Sequence, residues 1–427
     1  MNDRQTAFRV LNRIEKNKAY SNLALDAELR QTEENTASSA FVTALVYGVL
    51  ERKITLDYIL SSFLTQPIKK LRPEVCTVLR MGVYQLRFMD KVPASAAVNE
   101  SVNLVKHNGC AYAAGLVNSV LRKVADAEIV YPEKTDTVQF LSVRYSCPQA
   151  LVRHYIEDYG TENAEGILAS SLGAVPTVLR VNTLKTDTAQ LQAELAAEGL
   201  ETKNGKTENT LVLTSGGAVE QCKAYRDGLF HVQDTASALC VQALDARPGQ
   251  TVLDVCAAPG GKTFTVAEQM QNKGKIIAFD LYPHRVSLIE TGAKRLGISI
   301  VEASAQDASE YLPAYANTAD RVLCDVPCSG LGTIRRKPEI RYKDMGFIDN
   351  LTLLQYNILV NSSKYVKEGG VLVYSTCTLN RAENDLICDR FLRENPCFEK
   401  LDAYTTLLPH KDGTDGFFFA RFGRKAK

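Results

Sequence analysis

Apolar positions recur at helical spacing through the first third of the chain and at strand spacing through the last. Phe41, Leu45 and Val49 fall at i, i+4 and i+8, and Val75, Leu79, Val83 and Leu86 line one face in the same way. Pro93 opens a segment with Val98, Val102 and Val105 on one side, and Gly109 closes it. Leu116, Val120 and Val124 make a last stripe. No alternating pattern interrupts these stretches, so residues 1–135 are expected to form an all-α bundle. The proline and charges of "YPEKTDT" mark a boundary. Residues 136–240 read as a small α+β segment: a helix through "QALVRHYIEDYG", a strand in "TVLRVNT", a helix in "AQLQAELAAEGL", then short strands in "NTLVLTS" and "GLFHVQD". Residues 241–427 change character. "TVLDVCAAP", "GKIIAFDL", "ISIVEA", "DRVLCDVP" and "GGVLVYSTC" are short Val/Ile/Leu-rich runs, each followed by a loop or helical pattern. That alternation predicts an α/β domain, Rossmann-like, with a parallel sheet covered by helices on both faces. "GFFFARFG" reads as a final antiparallel strand.

Composition narrows the class. A chain of 427 residues accommodates two or three domains at about 100–200 residues each. The first ten residues lack the apolar core of a signal peptide. "FVTALVYGVL" is half the ~20 residues a spanning helix needs. A cytoplasmic monomer with reduced cysteines is expected. The eleven cysteines include no CxxC pair and no Cys/His cluster, so no metal is expected. Net charge is +1, and Lys+Arg against Asp+Glu runs 18 to 15, 8 to 12 and 24 to 22 over residues 1–140, 141–240 and 241–427. No region is basic in bulk, so nucleic-acid contacts must rest on local patches. Arg335, Arg336, Lys337, Arg341 and Lys343 form one such cluster. Lys69, Lys70 and Arg72 form a weaker one, and Arg421, Arg424, Lys425 and Lys427 read as a basic tail.

The stretch "VLDVCAAPGGKT" has the grammar of strand, small-residue turn and helix. In open α/β sheets ligands bind beyond the carboxyl ends of the strands. Gly260 and Gly261 let the backbone approach a ligand, and the following helix N-terminus favours anionic groups. Asp280, twenty residues after Gly260, is placed to hold ribose hydroxyls. The loop lacks the first glycine of a phosphate loop, and GxGxxG is absent. A nucleoside cofactor without pyrophosphate fits better: S-adenosylmethionine (SAM), with Asp307 available to the adenine amino group.

Asp325, Pro327 and Cys328 end the fourth of these strands and Cys377 ends the fifth. Cys240, Cys256, Cys324 and Cys388 read as small core hydrophobes. Cys328 and Cys377 differ because each follows a strand into a loop on the cofactor side. A thiol beside a methyl donor suits pyrimidine chemistry. Carbon 5 is a poor nucleophile until a thiolate adds to carbon 6 and makes it enamine-like. Asp325 would stabilise the charge that develops at the ring nitrogen, and a second cysteine would assist the closing elimination. The residues alone leave open which thiol attacks.

"DVCAAPGGKT", "DVPCSG" and "YSTCTLNRAEND" resemble the signatures of RNA cytosine-5 methyltransferases. The helical N-terminal third is similar to the NusB-like RNA-binding module of one branch, the RsmB/Sun/Fmu small-subunit rRNA methyltransferases. "GTIRRKPEIRY" and "DGFFFARF" fit the same family. The resemblance implies that Cys377, in the TC motif, attacks and that Cys328, in the PC motif, aids release. DNA cytosine methyltransferases use the PC cysteine instead. It also implies that Cys256, Ala257, Ala258, Pro259, Gly260, Gly261, Lys262, Asp280, Asp307 and Asp325 contact SAM. The substrate implied is the cytosine at position 967 of 16S rRNA, met as naked RNA or in an early subunit particle. A tRNA cytosine-5 methyltransferase and a non-catalytic RNA-binding assembly factor are the rival readings.

Overall fold

The computed structural model describes residues 3–17, 21–31, 36–343 and 345–426, so Lys427 of the basic tail lies outside the described residues. The described chain divides into two compact units. One is Met1–Gly173 with Ile334–Lys343, and the other is Ala174–Thr333 with Asp344–Lys427.

The first unit is helical, from Asp3–Asn17 to Gln149–Ser170. Its core is the set of faces seen in the periodicity: Leu45, Val49, Val75, Leu79, Val83, Val98, Val105, Val120 and Val124 are buried, and Phe41, Leu86, Val102 and Leu116 pack against them. The helix Ala94–His107 starts after Pro93, whose fixed φ suits a helix entry, and stops before Gly109 at φ +70°. The helical unit runs beyond the expected boundary at 135. Helices Thr137–Arg144 and Gln149–Ser170 belong to it. Thr55 Oγ1 donates to the Val143 carbonyl, and Ser146 Oγ accepts from the Ile54 amide, which ties these later helices to the bundle.

The segment Ile334–Lys343 also belongs to this unit. Arg341 is 1% exposed, and its guanidinium donates to the carbonyls of Glu51, Tyr145, Ser146, Ser171 and Ile334. Tyr342 donates to the Leu50 carbonyl, and Glu339 accepts from the Ser21 amide and hydroxyl. Helix ends leave carbonyls without partners, and five donors on a rigid fork suit that task. Arg341, expected at an RNA contact, is buried here with its two terminal nitrogens committed to carbonyls of this unit.

The second unit opens with a small antiparallel sheet of β1 (Val178–Val181), β2 (Glu201–Asn204), β3 (Thr210–Ser215) and β4 (Phe230–Val232), in the order β2-β3-β1-β4. The helix Thr188–Ala197 packs on it through Leu191 and Leu195. Strand β2, "ETKN", has no apolar alternation, which is why no strand was expected there.

The large sheet follows: β5 (Thr251–Asp254), β6 (Lys275–Asp280), β7 (Val301–Ala305), β8 (Ala319–Asp325), β9 (Val366–Thr376), β10 (Phe398–Lys400), β11 (Thr405–Leu407) and β12 (Phe417–Arg424). Its order is β10-β12-β9-β8-β5-β6-β7, with β11 also on β12. Strands β5 to β9 are parallel and β12 runs antiparallel to β9. Neighbouring residues enter opposite cores, as strand geometry requires: Val252, Ile276, Leu323 and Val373 on one face, Leu253, Ile277, Cys324 and Leu372 on the other. The chain winds outward from β5 through β7, then returns to β8 on the other side. The order reverses between β5 and β8, so a crevice opens at their carboxyl ends. No described helix is long and apolar enough to cross a membrane.

Candidate active site

Four strands end at this crevice: Asp254 ends β5, Asp280 ends β6, Asp325 ends β8 and Thr376 ends β9, with Cys377 next in the chain. A cleft of about 200 Å³ opens there, lined by Asp254, the loop Cys256–Pro259, Gly261, Lys262 and Asp325. Val232, Gln233, Asp234 and Ser237 complete its wall.

The loop is built by small residues. Gly260 has φ +108°, and a Cβ there would lie 2.3 Å from the Phe264 ring, so no other residue fits without strain. The helix Gly261–Gln269 starts at the cleft. Asp280 is 3% exposed; it accepts from the Ala258 amide at 3.2 Å and stands 3.3 Å from Arg285, which also donates to the Ala258 carbonyl. The expected ribose carboxylate thus also fixes the loop. Asp307 is exposed, accepts from the Ser309 amide and hydroxyl, and does not line this cleft.

Charge in the cleft centres on Lys262 and Asp325, 2.7 Å apart. Register places Ser375 beside Asp325, and its hydroxyl donates to the other carboxylate oxygen at 2.7 Å. Burial works against the Lys262 ammonium, but the Asp325 carboxylate more than offsets it, so the lysine pKa stands above its ordinary value. Asp254 is pushed up to about 7 by burial, although Thr263 donates to one of its oxygens at 2.7 Å. Its Oδ1 is buried without a hydrogen-bond partner.

The two thiols meet. Cys328 Sγ and Cys377 Sγ lie 3.2 Å apart. The hydrogen bond to Cys377, reinforced by burial, pushes the Cys328 pKa well up. Cys240, Cys324 and Cys388 are buried, and burial raises each of their pKa values.

The sequence reading missed part of this site. Gln233 and Asp234 come from the exit of β4, upstream of every motif, and Gln233 donates to the Gly261 carbonyl at 2.9 Å. Glu383 is fully buried, and its carboxylate accepts from the amide and hydroxyl of Ser329, the residue after Cys328. The basic cluster divides on the fold. Lys337 and Lys343 are exposed, Arg335 and Arg336 are half-buried, and Arg341 is interior. In the tail, Arg421 pairs with Asp402, and Arg424 donates to the Val366 carbonyl and to Asn317.

Residues 241–423 match the model of 16S rRNA methyltransferase RsmB/F, residues 1–126 that of the NusB family, and residues 147–220 that of an RsmF/B-like ferredoxin-like domain. A probable ribosomal RNA small subunit methyltransferase B of Bacillus subtilis is 38% identical, with 99% of this chain and 98% of that protein covered. A counterpart in Synechocystis is 35% identical over 98% of each chain. Among solved structures, PH0851 superposes with a TM-score of 0.82 at 27% identity, covering 98% of each chain. A methyltransferase homologue from Pyrococcus horikoshii covers 68% of this chain and 99% of its own, with a TM-score of 0.61 at 27% identity. Fold and cleft together are those of a Rossmann-like methyltransferase preceded by a NusB-like domain and a ferredoxin-like segment. The chain belongs to the family of ribosomal RNA small subunit methyltransferase B.

Proposed function

We propose that the protein methylates carbon 5 of a cytosine in 16S rRNA, at position 967, through a covalent bond from Cys377 to carbon 6 of the base. The observation that carries this reading is the meeting of two thiols, 3.2 Å apart, one strand-end away from the Asp325–Lys262 pair. SAM fits the cleft. The unpartnered Asp254 Oδ1 offers an acceptor to an ammonium group, Asp280 offers a carboxylate to ribose hydroxyls, and the close approach of Gly260 to the Phe264 ring sets the turn that leads into the cleft-lining Gly261 and Lys262. When bound it supplies an electrophilic methyl group.

This chain's residues do the rest. The Cys377 thiolate adds to carbon 6, and the electron pair moves toward the ring nitrogen. The ring nitrogen takes up a proton from water as that charge develops, and Asp325, held by Lys262 and Ser375, accepts a hydrogen bond from the protonated nitrogen. Carbon 5 takes the methyl group and gives its proton to water, the C–H electron pair rebuilds the ring double bond, the carbon–sulfur bond breaks as Cys328 donates to the departing sulfur, and the ring nitrogen returns its proton. The cytosine must be unstacked for carbon 6 to be reached, which costs least in loops and junctions.

The test is methyl transfer from SAM to unmodified 16S rRNA, to small-subunit particles and to tRNA, with 5-methylcytosine mapped at nucleotide resolution. A mark at 967 on small-subunit RNA is expected. Marks on tRNA alone would give the protein a different substrate, and absence of SAM binding would make it an assembly factor. Gly260→Ala checks the cofactor loop. A non-glycine residue in this left-handed turn costs about 1–3 kcal/mol, so SAM affinity measured by calorimetry is expected to fall about 5- to 150-fold.

A further inference from the structure

We propose that Glu383 is a positioning residue that sets the approach of the two thiols, an inference that rests on the two-cysteine reading above. The side chain is fully buried in the turn after Cys377. Its Oε2 accepts from the Ser329 amide at 2.8 Å and from Gln355 Nε2 at 2.9 Å. Its Oε1 accepts from the Ser329 hydroxyl at 2.5 Å and from Asn380 Nδ2 at 3.0 Å. Gln355 Nε2 also donates to the Pro327 carbonyl at 2.9 Å, so the same network grips the residue on each side of Cys328.

The other thiol is held from the same point. Ser329 Oγ lies 2.7 Å from Thr378 Oγ1, the hydroxyl next to Cys377, and the Gly332 amide donates to the Cys377 carbonyl at 3.1 Å. Tyr374, on β9, fixes the backbone of the turn by donating to the Glu383 carbonyl. One carboxylate therefore joins the loop after β8 to the loop after β9. Neither thiol can shift without disturbing it.

Chemistry requires an acceptor at both oxygens. The Ser329 amide fixes Oε2 as an acceptor. An amide nitrogen at Oε1 would then meet the Asn380 NH2, whose own oxygen is committed to the Ala382 amide. Glutamine is thus a near-isostere that cannot satisfy the network. A displacement of roughly 1 Å in a reacting group costs on the order of 10²-fold in rate.

The experiment uses full-length Glu383→Gln and Ser329→Ala, each also combined with Cys328→Ala. Single-turnover methylation of 16S rRNA, SAM affinity, KM for RNA and the rate of protein–RNA adduct formation are measured. Glu383→Gln is expected to lower the methylation rate about 10²-fold with SAM affinity and KM unchanged. Adduct formation in the Cys328→Ala background should slow by the same factor. Ser329→Ala, which keeps the carboxylate, should act in the same direction by a smaller factor. It decides the matter if Glu383→Gln does not fold. Methylation at the wild-type rate, or a loss matched by loss of SAM affinity, overturns the proposal. If Cys328→Ala alone forms no adduct, the two-cysteine reading fails and the inference fails with it.

Discussion

Cys377→Ala is expected to abolish methyl transfer and covalent capture of RNA together, whereas Cys328→Ala is expected to accumulate a protein–RNA adduct. The asymmetry follows from the pair. The two sulfurs lie 3.2 Å apart, and the proposed roles give attack to Cys377 and release to Cys328, whose pKa the hydrogen bond between them and burial hold above the ordinary thiol value. Removing the nucleophile of a covalent mechanism lowers the rate on the order of 10⁴- to 10⁶-fold. Removing Cys328 leaves attack and methyl transfer possible but slows expulsion of the enzyme thiol, so the intermediate persists. Denaturing gels of each variant incubated with SAM and unmodified 16S rRNA read both effects. An adduct from Cys377→Ala and none from Cys328→Ala would exchange the two roles.

Arg341→Ala is expected to destabilise the helical unit by about 3 kcal/mol or more. Five carbonyls lose their shared donor, and each buried acceptor left without a partner costs about 1–3 kcal/mol, less where neighbours or water replace it. Arg341→Lys is expected to recover little, because one ammonium cannot reproduce the planar fork. Urea unfolding followed by circular dichroism measures the loss. The exposed Lys337 provides the contrast: Lys337→Ala should leave the unfolding midpoint in place and weaken RNA binding in a salt-dependent way. If Arg341→Ala kept full stability and lost RNA affinity, the carbonyl cradle would be irrelevant and the arginine a phosphate contact after all.

Legibility in the sequence tracked how local each interaction is. The strand, turn and helix of residues 252–263 follow from adjacent residues, so the cofactor loop was readable. The parallel direction of β5 to β9 could be anticipated from alternation alone, but not their order. Arg341 was misread because its acceptors lie as far away as Glu51 and Ser171, and a basic residue in a basic run looks the same in solvent or interior. Glu383 was missed for the same reason. In "NRAEND" it resembles a solvated acid opening a helix, while its donors come from Ser329, Gln355 and Asn380. Helices Thr137–Arg144 and Gln149–Ser170, expected in the α+β segment, fall in the compact helical unit, while the ferredoxin-like family match begins at residue 147; periodicity reveals an apolar face but not what covers it.

The excursion of Ile334–Lys343 into the helical unit bears on how such a protein can be dissected. The methyltransferase chain is interrupted six residues after Cys328, and it resumes only after ten residues that fold elsewhere. A fragment cut at residue 241 would retain every motif yet leave Arg341 without four of its five carbonyls. The helical unit is thus no detachable adaptor. In this architecture, gene truncation, domain exchange and recombination between relatives must carry the insertion and its cradle as one inheritance.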